Sequence, residues 1–194
     1  MASDNLNVYA AEPLATGTCL VAPLGTPGPD GVDDALDAAF ADLGHIGEDG
    51  FTEKIDRNID KKKNWGGKTV KVLQKEYTHT FKFKMLETLK DSVLKVVYGN
   101  DNVVVTPAGS GHGEQVEIRK TSKKLPKLSW VIDSTDTELN AFYRNYIPEG
   151  QVMTLSDVKI VHTDTIEYEV ELEAFEDPGG VYVHTWTDNG RAGS

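Results

Sequence analysis

Tyr77-Thr78-His79-Thr80-Phe81-Lys82-Phe83-Lys84-Met85 alternates without a break, with aromatic, imidazole and thioether side chains at the odd positions and hydroxyl or ammonium groups at the even ones. Period two sustained over this length marks a β-strand with one face packed and the other wet. Immediately afterwards the spacing changes. Leu86, Leu89, Val93 and Val97 recur at helical intervals, Leu94 widens the stripe, and Gly99 stands where a helix-ending glycine belongs. The pattern therefore predicts an amphipathic helix over residues 86–97.

Outward from this pair the chain reads as short strands and turns. Leu14 to Ala22 is a short apolar strand, closed by the breaker cluster Pro23 to Pro29. Asp33 to Phe40 has Leu36 and Phe40 spaced for two helical turns. Three glycines between Asp42 and Phe51 mark tight backbone turns or bulges, and the polar stretch from Phe51 to Trp65 reads as a long exposed hairpin or loop. Beyond the helix, strands are expected at Asn102–Thr106, Glu114–Thr121, Lys127–Asp133, Phe142–Val152, Thr165–Phe175 and Val181–Thr187. Trp130, between Leu128 and Ile132, belongs to the core. The fold class that follows is mainly β with one helix (α+β): packed antiparallel sheets with the helix on one flank.

The 194 residues make one domain's worth of chain, 39% hydrophobic and 26% charged, with 20 Lys+Arg against 31 Asp+Glu and a net charge of −11. Such an excess of acid works against non-specific binding to nucleic acid or anionic lipid. Cys19 is the only cysteine, so no intrachain disulfide can form, and its apolar setting reads as a buried thiol. No Lys or Arg precedes Lys54, which removes the basic region of a signal peptide, and no apolar run approaches the length of a membrane span. A soluble, unexported chain with no membrane partner is expected.

Charge is segregated along the chain. Residues 1–52 hold nine acids and no Lys or Arg, residues 53–84 carry +6, and residues 85–194 carry −8. A basic protruding loop on an acidic body has what head-to-tail self-association requires. It equally suits a solvated hairpin that blunts a strand edge. The second charge feature is the row Glu167, Glu169, Glu171 and Glu173, which in an extended strand project to one face about 6.5 to 7 Å apart. Either lysines on a neighbouring strand, such as Lys82 and Lys84, pair with the row, or the row forms an anionic surface.

Catalytic constellations are missing. Gly109 to Glu114 offers Gly, Ser, His and Glu without the spacing of a phosphate loop or nucleophile elbow. His112, Glu114, His162 and Asp164 would have to converge in a cleft to support an enzyme, and scattered histidines give no metal-ligand pattern. No enzyme activity, cofactor or metal is assigned. Trp65, beside Gly66-Gly67 in the basic loop, is placed like an interface anchor.

The motifs Pro23-Leu24-Gly25-Thr26, Asp42-Leu43-Gly44-His45-Ile46-Gly47-Glu48-Asp49-Gly50, Trp65-Gly66-Gly67, Leu86-Glu87-Thr88 with Val97-Tyr98-Gly99, and Tyr146 to Val152 with Glu176-Asp177-Pro178 occur in an order that resembles the major tail tube proteins of long-tailed (siphovirus-type) bacteriophages, most like those infecting actinobacteria. The resemblance runs from about Ala10 to Val183. It implies two packed β-sheets flanked by a helix, the fold shared with the type VI secretion tube. It also implies a single tail tube domain over residues 1–194, with an N-terminal arm at 1–13, a protruding inter-ring loop at 48–68 and a polar C-terminal tail at 188–194.

The function implied is that of a structural virion protein, assembled in the host cytoplasm. Its hexameric rings would stack into the hollow tail tube through which the DNA genome passes. The chain's main partner would be itself, alongside tape measure, tail terminator and tail-tip proteins. DNA would pass without specific binding. Lys54, Arg57, Lys61, Lys62, Lys63, Trp65 and Lys68 would form the inter-ring contact, and Glu167, Glu169, Glu171 and Glu173 the acidic lumen. A ring-forming secretion module or tail-tip adaptor that makes no long filament is the alternative.

Overall fold

A computed structural model describes residues 5–191; residues 1–4 of the expected arm and 192–194 of the expected tail lie outside the described residues. The strands are β1 (Glu12–Pro13), β2 (Cys19–Pro23), β3 (Ala41–Asp42), β4 (Thr52–Lys63), β5 (Thr69–Met85), β6 (Val103–Thr106), β7 (Gln115–Ile118), β8 (Leu128–Asp136), β9 (Ala141–Leu155), β10 (Tyr168–Phe175) and β11 (His184–Asp188), with the helix α1 at Asp91–Tyr98. Nine strands form one antiparallel sheet in the order β3-β2-β8-β9-β10-β5-β4, with β1 beside β8 and β11 beside β9; β6 and β7 form a second, two-stranded antiparallel sheet. The chain is thus mostly β with one helix, as the alternation predicts, and among the described residues the sheet does not close into a barrel.

The core lies between the large sheet and a cover made of α1 and β6–β7. Phe81, Phe83 and Met85 of β5, Trp130 and Ile132 of β8, Ile147 and Val152 of β9, and Val170 and Leu172 of β10 meet Val93, Leu94, Val96 and Val97 of the helix and Val103 of β6. Each such burial contributes roughly 1.5–3 kcal/mol, which is what holds so short a helix in place. Cys19 is fully buried here, and desolvation raises its thiol pKa well above the ordinary range.

Helix α1 starts later than its apolar spacing suggests. The Leu86 N–H donates to the His45 carbonyl at 3.0 Å, continuing the sheet, and Lys90 is still extended, so Leu86 and Leu89 stay outside the helix and Leu89 is exposed. Gly99 ends the helix at φ +91°, as expected of a glycine in that place.

The two helical turns expected over Asp33–Phe40 do not form. The Arg144 guanidinium takes the Gly31 and Asp34 carbonyls at 3.1 and 2.8 Å, while the Asp34 and Asp37 carboxylates accept the Asp30 and Ala39 N–H groups. These contacts satisfy groups that a helix would need. Arg144 is itself held by Asp133 through two bonds of 2.8 Å. The segment lies over the opposite face of the sheet, where Phe40 and Leu36 pack on Ala22 and Val131. This covers the far face of β8 and β2 and Tyr146 of β9, whereas over β10 and β5 the far face meets the turn at 47–50, where Asp49 lies 3.2 Å from Lys84, and is otherwise without apolar cover.

Candidate assembly site

Beyond His79, β5 loses β10 as a neighbour and continues with β4 alone. The pair forms a two-stranded arm closed by the turn Asn64 to Lys68, where the Asn64 carboxamide oxygen accepts the Lys68 N–H at 2.9 Å. Thr69 to Tyr77 at the strand rise gives an arm of about 25 Å. Almost every residue on it is exposed, and Trp65 at the tip is fully so. A two-stranded ribbon has no hydrophobic cover of its own.

The root of the arm is clamped. Arg57 sits 5.0 Å above the Tyr77 ring, and Tyr182 meets that ring edge-on at 4.6 Å. One step inward, buried His79 bonds the Glu53 carboxylate at 2.6 Å. The clamp fixes where the arm leaves the body.

The residues expected at the inter-ring contact divide between body and arm. Lys54 pairs with Thr80 inside the sheet, Arg57 is at the root, and Lys61, Lys62, Lys63, Trp65 and Lys68 are on the free part. Residues 48–51 belong to a turn beside the other end of β5, where the Gly47 N–H donates to the Lys84 carbonyl at 2.9 Å. The free part instead includes Lys71 and Lys75 on the returning strand. From Arg57 to Tyr77 seven basic side chains face two acids, a net of +5.

The glutamate row lies on the open face of the sheet. Glu169 pairs with Lys82 at 2.6 Å and Glu167 with Lys84 at 3.9 Å. The Lys82 hydrogen bond, helped by Ser156, holds the Glu169 carboxyl below the ordinary carboxylate range. Among the described residues Glu171 and Glu173 form no ion pair, although Glu171 is in register with Lys82 and Glu173 with Thr80. The lysines of β5 thus reach one half of the row and not the other, and Lys84 is shared with Asp49 at 3.2 Å. Because Lys54 and Asp56 share this face, β10, β5 and the body part of β4 present five acids against three lysines on it.

The polar reading of Phe51 to Trp65 passed over Ile55 and Ile59, and with Val70 and Val72 of β5 these are exposed aliphatic side chains, Ile55 at the body and the other three on the arm. The signal was present, since residues spaced by two or four fall on one face of a strand. Among the described residues no group of three or more His, Cys, Asp or Glu comes together as a metal site, and no helix is long and apolar enough to cross a membrane.

A mainly β body, charge-segregated, with a basic arm standing clear of it defines a class of subunit that works through surfaces rather than through a cleft. A family model described as phage tail tube protein matches residues 1–192, and the chain belongs to this family. It is a structural, non-enzymatic component of the bacteriophage virion that assembles with copies of itself and other tail proteins. No match was found among curated proteins.

Proposed function

We propose that the chain closes into hexameric rings, that the rings stack into the hollow tail tube of a long-tailed phage, and that the DNA genome passes through the bore into the host. The arm carries this reading: a ribbon of +5 net charge, clamped at its root and without cover from its own chain, reaches beyond a body that is acidic elsewhere. Lys61, Lys62, Lys63, Trp65 and Lys68 would contact the neighbouring ring, with Arg57 and Lys54 nearer the body. Residues 1–194 would act as one domain, with 1–13, 48–68 and 188–194 as its peripheral segments. Tape measure, tail terminator and tail-tip proteins would complete the tail.

The open face with the glutamate row is the surface we assign to the lumen. Helix α1 covers the opposite side, leaving this face free to line a bore. Bare Glu171 and Glu173 repel a polyanion, and partial neutralisation by Lys82 and Lys84 limits self-repulsion in the wall without reversing its sign. DNA then stays hydrated and centred, with no specific binding.

Negative-stain microscopy of concentrated protein tests the proposal. Long hollow filaments with a regular ring repeat are expected, whereas discrete rings alone would favour a secretion-type module or tail-tip adaptor. Replacing Lys61, Lys62 and Lys63 together by Glu should shorten filaments and change their salt dependence. Unchanged filaments at every ionic strength would count against the electrostatic part.

A further inference from the structure

Exposed aliphatic side chains gather at both ends of the β5 axis. On the arm, residues directly opposite across the antiparallel pair share a face, and Ile59 lies opposite Gln74 as Lys61 lies opposite Val72. Ile59 on β4 and Val72 on β5 therefore lie on one face, with Ile55 further along the same side of β4 toward the body, and all three are exposed. This face continues the side of β5 that buries His79, Phe81, Phe83 and Met85 inside the body. The core side of the sheet runs on past its cover.

At the other end of β5, Met85 is in register with Tyr168, and Val170 with Leu155. Leu86, Leu89, Leu155 and the Ile160–Val161 pair of the β9–β10 connection are thus placed at the end remote from the arm. Leu89 and Ile160 are 88% and 81% exposed. A strand's length separates the two apolar surfaces, so one copy cannot bring them together. Their charges are opposite as well. Segments 45–50, 84–91 and 155–167, which meet at the remote end, hold seven acids against three lysines, a net of −4, facing the arm's +5.

We infer that the aliphatic face of the arm docks on the remote end of β5 in the next copy along the stack, with Leu89 and Ile160 at the centre of the receiving surface. The inference rests on the tube reading above and names the surface that receives the arm. Apolar burial supplies the affinity, while the lysines and the acidic end steer approach and set register. Two different surfaces in contact make a heterologous joint, which repeats without closing along its axis.

Two double variants test the joint: Ile59→Ser with Val72→Ser on the arm, and Leu89→Ser with Ile160→Ser at the remote end. All four side chains are exposed, and circular dichroism melts should match the unsubstituted chain. Each variant should raise the protein concentration needed for stacking by about 100-fold, the effect of losing two buried aliphatic side chains. Mixed in equal amounts, each retains the surface the other lacks, so sedimentation velocity should show stacks of two layers that grow no further. Stacking by the remote-end variant at the unsubstituted concentration, with the arm variant defective, would overturn the assigned receptor and leave the tube reading standing. A mixture with no species larger than either variant alone would also overturn it. Failure of the unsubstituted chain to associate at any concentration or ionic strength would instead remove the tube reading itself. As a second measurement, Ile59→Cys combined with Ile160→Cys should give a disulfide ladder on a non-reducing gel, since Cys19 is buried; monomer alone would contradict the contact.

Discussion

Along β5, Phe81, Phe83 and Met85 are buried beneath α1 and beside Trp130, whereas Val70 and Val72, on the outer half of the same strand, lie in solvent. The inner half is held by β10 on one edge, β4 on the other and a hydrophobic cover. The outer half has β4 alone. Local sequence is similar in kind, since apolar residues are interleaved with lysines in both. What separates them is tertiary cover, so the inner half belongs to folding and the outer half to association.

Substitutions should separate the two halves. The largest effect is expected for Phe81→Ala, which leaves a cavity in the core and should cost about 3–5 kcal/mol in urea denaturation of the dilute chain. A loss near zero would place that half of β5 outside the core. Next comes Gly150→Ala, where an added Cβ would approach Trp130 Cδ1 to 2.7 Å and Leu172 Cδ1 to 3.0 Å. Overpacking at this bend of β9 should cost about 1–3 kcal/mol, read by the same titration.

A smaller, pH-dependent effect is expected where the N-terminal segment meets the body. Asp136 accepts the Ala10 N–H at 2.8 Å together with those of Glu138 and Leu139, and these bonds hold its carboxyl below the ordinary aspartate range. A depressed folded pKa means that the stabilisation is complete above the ordinary carboxylate value and fades as pH falls through the lower folded one. Melting temperature should drop on acidification across that window, and Asp136→Asn should flatten part of the slope. A slope unaltered by this change would show that other carboxylates dominate. Smallest of all, Val72→Ala or Trp65→Ala should shift monomer stability by no more than about 0.5 kcal/mol while impairing assembly, measured in parallel by urea titration and filament yield.

Much of the body was legible in the sequence. Strict alternation from Tyr77 to Met85 and from Ile166 to Ala174 follows directly from one-sided burial, and Trp130 and Cys19 take the core positions expected of them. The misreadings came where a distant residue decides local structure. Leu36 and Phe40 have helical spacing, but Arg144, more than a hundred residues away in sequence, takes the carbonyls that a helix would use. Leu86 and Leu89 match a helical stripe, yet the bond from Leu86 to the His45 carbonyl and a turn closed by Lys90 on Glu87 keep that stretch out of the helix.

The assembly site was half legible. Charge counts along the chain mark the basic arm, but the aliphatic face of Ile55, Ile59 and Val72 is diluted by the intervening basic residues. It becomes visible only once strand pairing puts these residues together. The pairing of Glu169 with Lys82, against the bare Glu171 and Glu173, likewise depends on register and not on composition.

The most direct measurement is a cryo-electron microscopy map of filaments grown from the purified chain, at a resolution that traces the strands. The account predicts a hollow tube in which the arm, from Arg57 to Tyr77, lies against the adjacent ring and the open face of β10 and β5 turns Glu171 and Glu173 toward the bore. A tube whose arms fold back on their own subunits, or whose channel is lined by the α1 face, would contradict it.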